Sequence, residues 1–249
     1  EFVLEAIKEE PFSMYYADDS LREDKDFILT AVKKNGLVLH YADDSLRKDK
    51  TFVLEALKIN GFALEGVDQS LKKDKKFILE AAKQINTFNG QLFLTILEFA
   101  DVSLRKDKEL VLEVVKQDGL ALQYADESFK KDKEVVLEAM KENPRTMMNA
   151  DDSLMTDKEI VLMGFNCDVE LLDLAADSLK KDKEFILKLV KIDGYALEFA
   201  DNSLKKDKEV VLEAIKASSV NTRVSEIIDK SLMKDSDVLA MIALIGKKK

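Results

Sequence analysis

The stretch Ser45–Lys83, SLRKDKTFVLEALKINGFALEGVDQSLKKDKKFILEAAK, contains the same phrase twice, because SLRKDK at 45–50 returns as SLKKDK at 70–75. The serine of this phrase recurs at Ser20, Ser45, Ser70, Ser103, Ser128, Ser153, Ser178, Ser203 and Ser231. Successive spacings are 25, 25, 33, 25, 25, 25, 25 and 28 residues. A nearly fixed period of this length predicts a repeat array, and it overrides the one or two globular domains expected from 249 residues.

Each repeat is predicted to contain two helices. The first begins after an aspartate four residues beyond the serine, as at Asp49, because aspartate is a preferred helix N-cap. It ends at an Asn-Gly or Asp-Gly pair such as Asn60-Gly61, which predicts a left-handed C-terminal cap. The second helix is shorter, as in LVLHYAD at 37–43, and ends at a charged linker.

The apolar pattern of the first helix predicts that the repeats stack. In FILTAV at 27–32, apolar side chains cover well over half of the helix circumference, more than a surface helix needs. No single repeat buries so wide a face, so neighbouring repeats must cover it. The predicted fold is all-α: an αα-solenoid of about ten stacked two-helix repeats with a 25-residue period.

The predicted organisation is one repeat array over residues 1–249. A partial first repeat occupies 1–19, and later repeats start near 20, 45, 70, 103, 128, 153, 178, 203 and 231. Phe2 lies 25 residues before Phe27, so the sequence begins inside a repeat. We expect the chain to be a fragment of a longer protein.

Composition argues against several classes of function. A net charge of −10 repels nucleic acid and anionic membranes at long range. The longest apolar run, Val238 to Ile245, is far shorter than the ~20 residues of a membrane helix. The only cysteine, Cys167, excludes an intrachain disulfide. This cysteine usage favours a reducing, cytoplasmic location.

The repeated motif L-x-x-D-K-x-[FV]-[VI]-L-x-A-[VI]-K-x-[ND]-G-x-A-L-x-[YF]-A resembles the repeats of domain-of-unknown-function family 4116. The clearest matches are Leu104 to Ala125, Leu179 to Ala200 and Leu46 to Ala63. Such repeats occur in secreted effectors of intracellular bacteria and in some protist proteins, so the resemblance implies the host cytosol if the chain is an effector. The family defines no activity and no catalytic residues.

Departures from the repeat are the candidates for partner binding. The 33-residue unit carries eight extra residues near 84–91, and Phe88 and Asn89 at this lengthened turn are the first candidates. Two interpretations stay open: a partner-binding loop, or a Phe88 side chain that folds back on its own repeat.

Methionines mark the second departure. Met147, Met148, Met155 and Met163 cluster around the unit that begins at Ser153, and methionine either lines adaptable surfaces or fills irregular core gaps. In the last helix, Asp237 to Ile245, the candidates are Met241 and Ile242, because this helix lacks the polar positions of its predecessors.

Catalytic and metal-binding motifs are missing from the sequence. A single histidine, His40, excludes the usual histidine-containing metal sites and Ser-His or Cys-His pairs within this chain. We therefore predict no enzyme activity, no metal and no cofactor. The leading hypothesis is a scaffold for protein–protein interaction. The alternative is a targeting or substrate-presenting module of a larger enzyme or effector. Nucleic-acid binding along the basic linker residues is the third possibility.

Overall fold

The structure, a computed structural model, describes residues 2–85, 95–218 and 223–246, and within these ranges every regular element is helical. Two compact units divide the chain: unit 1 is Glu1–Asn143 and unit 2 is Pro144–Lys249. Within each unit successive repeats pack on one another, which confirms the predicted all-α repeat solenoid. A single array over 1–249 stays a prediction.

Each repeat contributes one long α-helix, here called the long helix. In unit 1 the long helices are Phe2–Glu9, Lys25–Lys34, Lys50–Ile59, Lys75–Ile85, Lys108–Val115 and Lys133–Glu142. In unit 2 they are Lys158–Cys167, Lys183–Val190, Lys208–Ala217 and Ser236–Gly246.

The predicted second helix is a tighter 3-10 helix in most repeats. In unit 1 these helices are Pro11–Tyr16, Gly36–Tyr41, Gly61–Gly66 and Gly119–Tyr124, with the α-turn Ile96–Phe99 in the corresponding place. In unit 2 they are Pro144–Asn149, Val169–Leu174 and Gly194–Phe199, with the α-helix Arg223–Ile227 in that place. Six residues make two turns at three residues per turn.

The charged linker adds a third helical element to the repeat. In unit 1 the linker helices are Asp19–Glu23, Asp44–Lys48, Gln69–Lys72, Leu104–Lys106 and Glu127–Lys130. In unit 2 they are Asp152–Thr156, Asp177–Lys180, Leu204–Lys206 and Leu232–Lys234. The leucine of the serine phrase packs beneath this turn, since Leu46 is 4% exposed.

Helix caps explain the repeated aspartates. The cap predicted from the sequence is confirmed: Asp49 Oδ1 accepts from the Thr51 and Phe52 amides at 3.1 and 3.2 Å. A second aspartate, which sequence reasoning missed, caps the linker helix, and Asp68 Oδ1 accepts from the Ser70 amide at 2.9 Å and from its hydroxyl at 2.6 Å. These bonds satisfy first-turn N–H groups that the helix leaves unpaired.

The core lies between the layer of long helices and the layer of 3-10 helices. In the long helix Lys50–Ile59, Val53, Ala56 and Leu57 are fully buried. In the 3-10 helix the first glycine and the middle apolar pair are buried, as with Gly36, Val38 and Leu39. The wide apolar face predicted for the long helix is therefore confirmed, and the 3-10 helix keeps its other side for solvent.

The predicted left-handed glycine cap is wrong. Asn35, between the long helix and the 3-10 helix, is extended at φ −154° and ψ 115°, and Gly36 does not have a positive φ. Glycine is required for a different reason, because a Cβ at Gly36 would lie 2.6 Å from Asn60 Oδ1 of the next repeat. The repeats approach too closely at this point for a side chain.

Candidate functional site

The exposed side of the 3-10 helices is where the repeats differ most. We call this surface the 3-10 face and define it by the second, fifth and sixth residues of each helix. In unit 1 its exposed and half-buried members are Phe12, Tyr15, Tyr16, Leu37, His40, Tyr41, Phe62, Glu65, Leu120, Gln123 and Tyr124, while Gly66 at the sixth position is buried. In unit 2 it comprises Arg145, Met148, Asn149, Glu170, Asp173, Leu174, Tyr195, Glu198 and Phe199.

Aromatic rings dominate the 3-10 face at the start of unit 1. Phe12 stacks on Tyr15 with ring centroids 5.3 Å apart and planes inclined by 6°, and Tyr16 and Tyr41 meet Phe12 edge-on at 5.3 and 5.7 Å. Phe12, Tyr15 and Tyr16 remain 42%, 56% and 75% exposed. Offset and edge-on ring pairs are favourable, so the rings hold one another in place while staying open to solvent.

A groove of about 530 Å³ runs beside these rings, and we call it the aromatic groove. Its walls carry aromatic and charged side chains: Phe12, Tyr15, Arg22, His40, Tyr41, Asp43, Asp44 and Arg47. His40, the single histidine, is exposed and meets Tyr41 edge-on at 5.1 Å.

The acidic groups of the aromatic groove already have partners. Asp43 Oδ1 accepts from the Ser45 amide at 2.8 Å as a helix cap, and hydrogen bonding to Ser45 lowers the pKa of Asp43. Asp44 pairs with Arg47 Nη1 at 3.4 Å and with Lys48 Nζ at 3.0 Å. Both carboxylates are therefore engaged in holding the linker helix.

The two arginines of the groove differ in their hydrogen bonds. Arg47 Nε donates to the carbonyl of Gly66 at 2.8 Å, and in a later repeat Arg105 Nε donates to the carbonyl of Ala100 at 3.0 Å. Arg22 holds the same repeat position, yet its Nε is buried without an acceptor among the described residues. On the surface, Arg22 Nη2 forms an ion pair with Asp19.

A second groove, of about 540 Å³, lies on the 3-10 face of unit 2. Tyr195 and Phe199 line it with rings 5.8 Å apart and nearly perpendicular. Glu170, Asp173 and Glu198 line the same groove. The aromatic groove of unit 1 thus combines rings with two arginines, whereas this groove combines two rings with three carboxylates.

The candidates chosen from sequence lie in several different places. Phe88 and Asn89 lie outside the described residues. Met147 and Met155 are 1% and 5% exposed, and Met148 is 67% exposed on the 3-10 face of unit 2. Met163, Met241 and Ile242 are half-buried on long helices. Partner binding by any of these residues stays a prediction.

The buried methionines have a packing explanation. Met147 Sδ occupies the space that a Cβ at Gly164 would need, while the equivalent positions of other repeats hold Ala139 and Ala214, both fully buried. Most other 3-10 helices hold a leucine at the position of Met147, as with Leu122. The longer, unbranched Met147 fills the gap that the missing methyl group of Gly164 leaves, as methionine does in irregular cores.

Sequence reasoning also missed a row of lysines that joins the repeats. We call it the lysine ladder: the lysine after each capping aspartate reaches the capping aspartate of the next repeat. Lys75 Nζ lies 2.8 Å from Asp107 and 2.7 Å from Glu109. The other described members are Lys25, Lys50 and Lys108 in unit 1 and Lys158, Lys183 and Lys208 in unit 2. The constancy of the Asp-Lys pair was the available signal.

Among the residues that the structure describes, no group of three histidine, cysteine, aspartate or glutamate side chains could hold a metal ion. In the same part of the chain, no helix is both long and apolar enough to cross a membrane.

Comparison with known proteins gives a family. The family "Domain of unknown function (DUF4116)" matches residues 1–47, 49–105, 84–130, 107–155, 157–204 and 182–233. Neither the curated proteins nor the solved structures gave a match. Because the matches cover most of the chain and repeat along it, this protein belongs to the DUF4116 family.

Proposed function

We propose that this chain is a non-catalytic repeat scaffold that binds a partner protein through the 3-10 face, with the aromatic groove of unit 1 as the main contact. The observation that carries the proposal is that, within each repeat, some positions are constant and those on the 3-10 face vary. The aspartate caps of the long helices, the apolar core positions and the lysine ladder use the same residue types from repeat to repeat. The 3-10 face changes from repeat to repeat. Variation on one face of a stacked array is typical of an extended binding surface.

The composition of the aromatic groove favours a protein partner. Tyrosine, phenylalanine and arginine are the residue types enriched where protein interfaces are most energetic. Tyr15 at 56% exposure and Phe12 at 42% present large apolar areas to solvent. Large contiguous apolar patches are rare on the surface of monomeric proteins, and they usually mark interaction sites.

Nucleic-acid binding has less support. The outer lysine of several linkers pairs with a carboxylate, as Lys48 does with Asp44 at 3.0 Å and Lys106 with Asp126 at 3.9 Å. The groove of unit 2 adds Glu170 and Glu198 on the same type of surface. These acids oppose phosphate, whose neutralisation by lysine and arginine supplies most nucleic-acid affinity.

The absence of catalysis is part of the proposal. The repeated aspartates, which were the available acid–base groups, are engaged as helix caps, as Asp107 is with the Leu110 amide at 3.0 Å. A targeting or substrate-presenting role inside a larger enzyme or effector would use the same 3-10 face. It is the alternative that the complete protein sequence would decide.

Phage display of random peptides on the immobilised chain tests the proposal. Selected clones are compared on three proteins: the parent chain, Tyr15→Ser with Tyr16→Ser, and Lys116→Gln with Lys141→Gln on the exposed side of the long helices. We expect clones that lose about tenfold or more in affinity on the tyrosine variant and keep their affinity on the lysine variant. Failure to select any clone that depends on the 3-10 face would overturn the proposal.

A further inference from the structure

We propose that the aromatic groove binds a proline-rich segment in the polyproline II conformation. This inference rests on the proposed function and names the chemistry of the partner. It follows from three features of the groove: its aromatic rings, its carboxylates that are already paired, and the Nε of Arg22, which lacks an acceptor among the described residues.

The rings provide surfaces that suit proline. Phe12 and Tyr15 come from one 3-10 helix and Tyr41 from the next, so rings of two repeats line the groove and present both faces and edges. Grooves lined with aromatic side chains are the recurring binding site of proline-rich segments, because the preformed helix loses little entropy on docking.

The hydrogen-bonding groups of the groove favour a ligand with many acceptors and few donors. Asp43 and Asp44 are already engaged by Ser45, Arg47 and Lys48. Of the remaining groups that line the groove, the hydroxyls of Tyr15 and Tyr41 can donate. Polyproline II leaves every carbonyl unpaired, and proline has no N–H that would need an acceptor.

Arg22 is the group that most directly requires such a ligand. A buried donor without an acceptor is costly, and native proteins contain few of them. At the same repeat position Arg47 Nε is held by the Gly66 carbonyl at 2.8 Å. Arg22 Nε has no such bond among the described residues. A guanidinium that turns towards a ligand carbonyl gives up the surface pair with Asp19 and satisfies the unpaired donor.

Alternative occupants fit the groove less well. A basic segment would meet Arg22 and Arg47 with both carboxylates already paired. An acidic segment would meet Asp43 and Asp44, whose charges face the same space. A regular helix hydrogen-bonds its own carbonyls and would leave Arg22 Nε without an acceptor.

The direct test is fluorescence anisotropy with a labelled polyproline peptide of about ten residues, long enough for about three turns. A Gly/Ser peptide of equal length, a lysine-rich peptide and an acidic peptide serve as controls. We expect saturable binding of polyproline, with a Kd on the order of 10–100 µM for a small interface, and at least tenfold weaker binding of the controls.

Three substitutions define the site on the intact chain. Tyr15→Ala and Tyr41→Ala should each weaken polyproline binding about tenfold, as expected when a central ring is removed. Arg22→Lys keeps the charge and removes the Nε donor, and should weaken binding several-fold. Lys116→Gln, on the exposed side of the long helices of unit 1, should leave the affinity unchanged. Thermal unfolding confirms that each variant is folded.

The outcomes separate this inference from the proposed function. The inference is overturned if the chain does not bind polyproline. It is also overturned if Tyr15→Ala, Tyr41→Ala and Arg22→Lys leave the affinity for polyproline unchanged. If peptides without proline are nevertheless selected on the 3-10 face in the display experiment, the scaffold proposal stands and only the partner chemistry is wrong. If no selected peptide depends on the 3-10 face, both fall.

Discussion

The two layers of unit 1 use the repeat in opposite ways. On the long-helix side the same residue type returns at each position: aspartate as the cap, lysine in the ladder, and paired glutamate and lysine outside, as with Glu113 and Lys116 at 3.0 Å. On the 3-10 face one position holds Tyr15, His40 and Gln123 in different repeats. The two layers enclose the same core, but only the long-helix side requires the same residue types in every repeat.

The difference follows from what each position contacts. A capping aspartate or a ladder lysine has its partners in the backbone or in the next repeat, so any other residue type leaves those partners unsatisfied. The fifth residue of a 3-10 helix contacts mainly solvent, so stacking tolerates many residue types there. A residue type that returns in every repeat therefore indicates a structural role. The exposed positions of the 3-10 helices do not repeat, so their side chains are free to differ for binding.

The largest expected effect comes from the glycine where the two layers meet. A Cβ at Gly119 would collide with the backbone carbonyl of Ala139 in the next long helix, and that carbonyl also accepts the Asn143 amide at 3.0 Å. Because this hydrogen-bonded backbone cannot move far enough to make room for a methyl group, Gly119→Ala should lower the free energy of unfolding by about 1–3 kcal/mol. Urea unfolding followed by circular dichroism measures it.

The matched control for the glycine lies on the same 3-10 helix. Gln123 is exposed on the 3-10 face, and Gln123→Ala should change the free energy of unfolding by less than about 0.5 kcal/mol. Equal effects of the two substitutions would show that the layers do not differ in constraint.

The second expected effect concerns the lysine ladder and acid. The hydrogen bond from Lys75, followed by that from the Leu110 amide, lowers the pKa of Asp107 below 3.8 in the folded state. The corresponding stability is present above pH 3.8 and is lost as the pH falls through the lower folded pKa. Lys75→Gln should therefore lower the Tm at neutral pH, by less than Gly119→Ala does, and the difference from the parent should shrink below pH 3.8.

Lys116→Gln is the control for the ladder. Lys116 pairs with Glu113 within one helix at 3.0 Å, whereas Lys75 joins two repeats. Surface pairs three residues apart stabilise by only a few tenths of a kcal/mol, so Lys116→Gln should lower the Tm less than Lys75→Gln. Scanning calorimetry from neutral to acid pH compares them, and the reverse order would contradict a role of the ladder in stacking.

The sequence predicts the constrained layer well and the free layer poorly. Period, Asp49-type caps and the apolar face of the long helix all follow from local patterns, and the structure confirms them. Gly36 was misassigned, because a cap glycine and a close-contact glycine look alike without the neighbouring repeat. The aromatic groove was missed because its rings come from two repeats, and only the stacking of these repeats brings the Tyr41 ring within 6 Å of Phe12. Periodicity describes one repeat, whereas this site depends on two.

The smallest expected effect lies at a cap between the layers, where the repeats alternate between two residue types. Burial, with the charge of Glu142 adding to it, raises the pKa of Asp118, whereas Asn35 and Asn60 cap the equivalent helices without charge at 3.1 Å.

Since the folded pKa of Asp118 lies above its unfolded value of 3.8, its contribution to stability is full below that pH and is lost as the pH rises through the folded pKa. Asp118→Asn keeps the acceptor for the Leu120 amide and removes the buried charge. It should therefore raise the Tm at neutral pH by at most about 4 °C, with no difference from the parent below pH 3.8. Thermal unfolding across this pH range measures the effect. A lower Tm for Asp118→Asn at neutral pH would mean that the charge itself stabilises this cap through the helix dipole, and that the two residue types are not equivalent in the repeat.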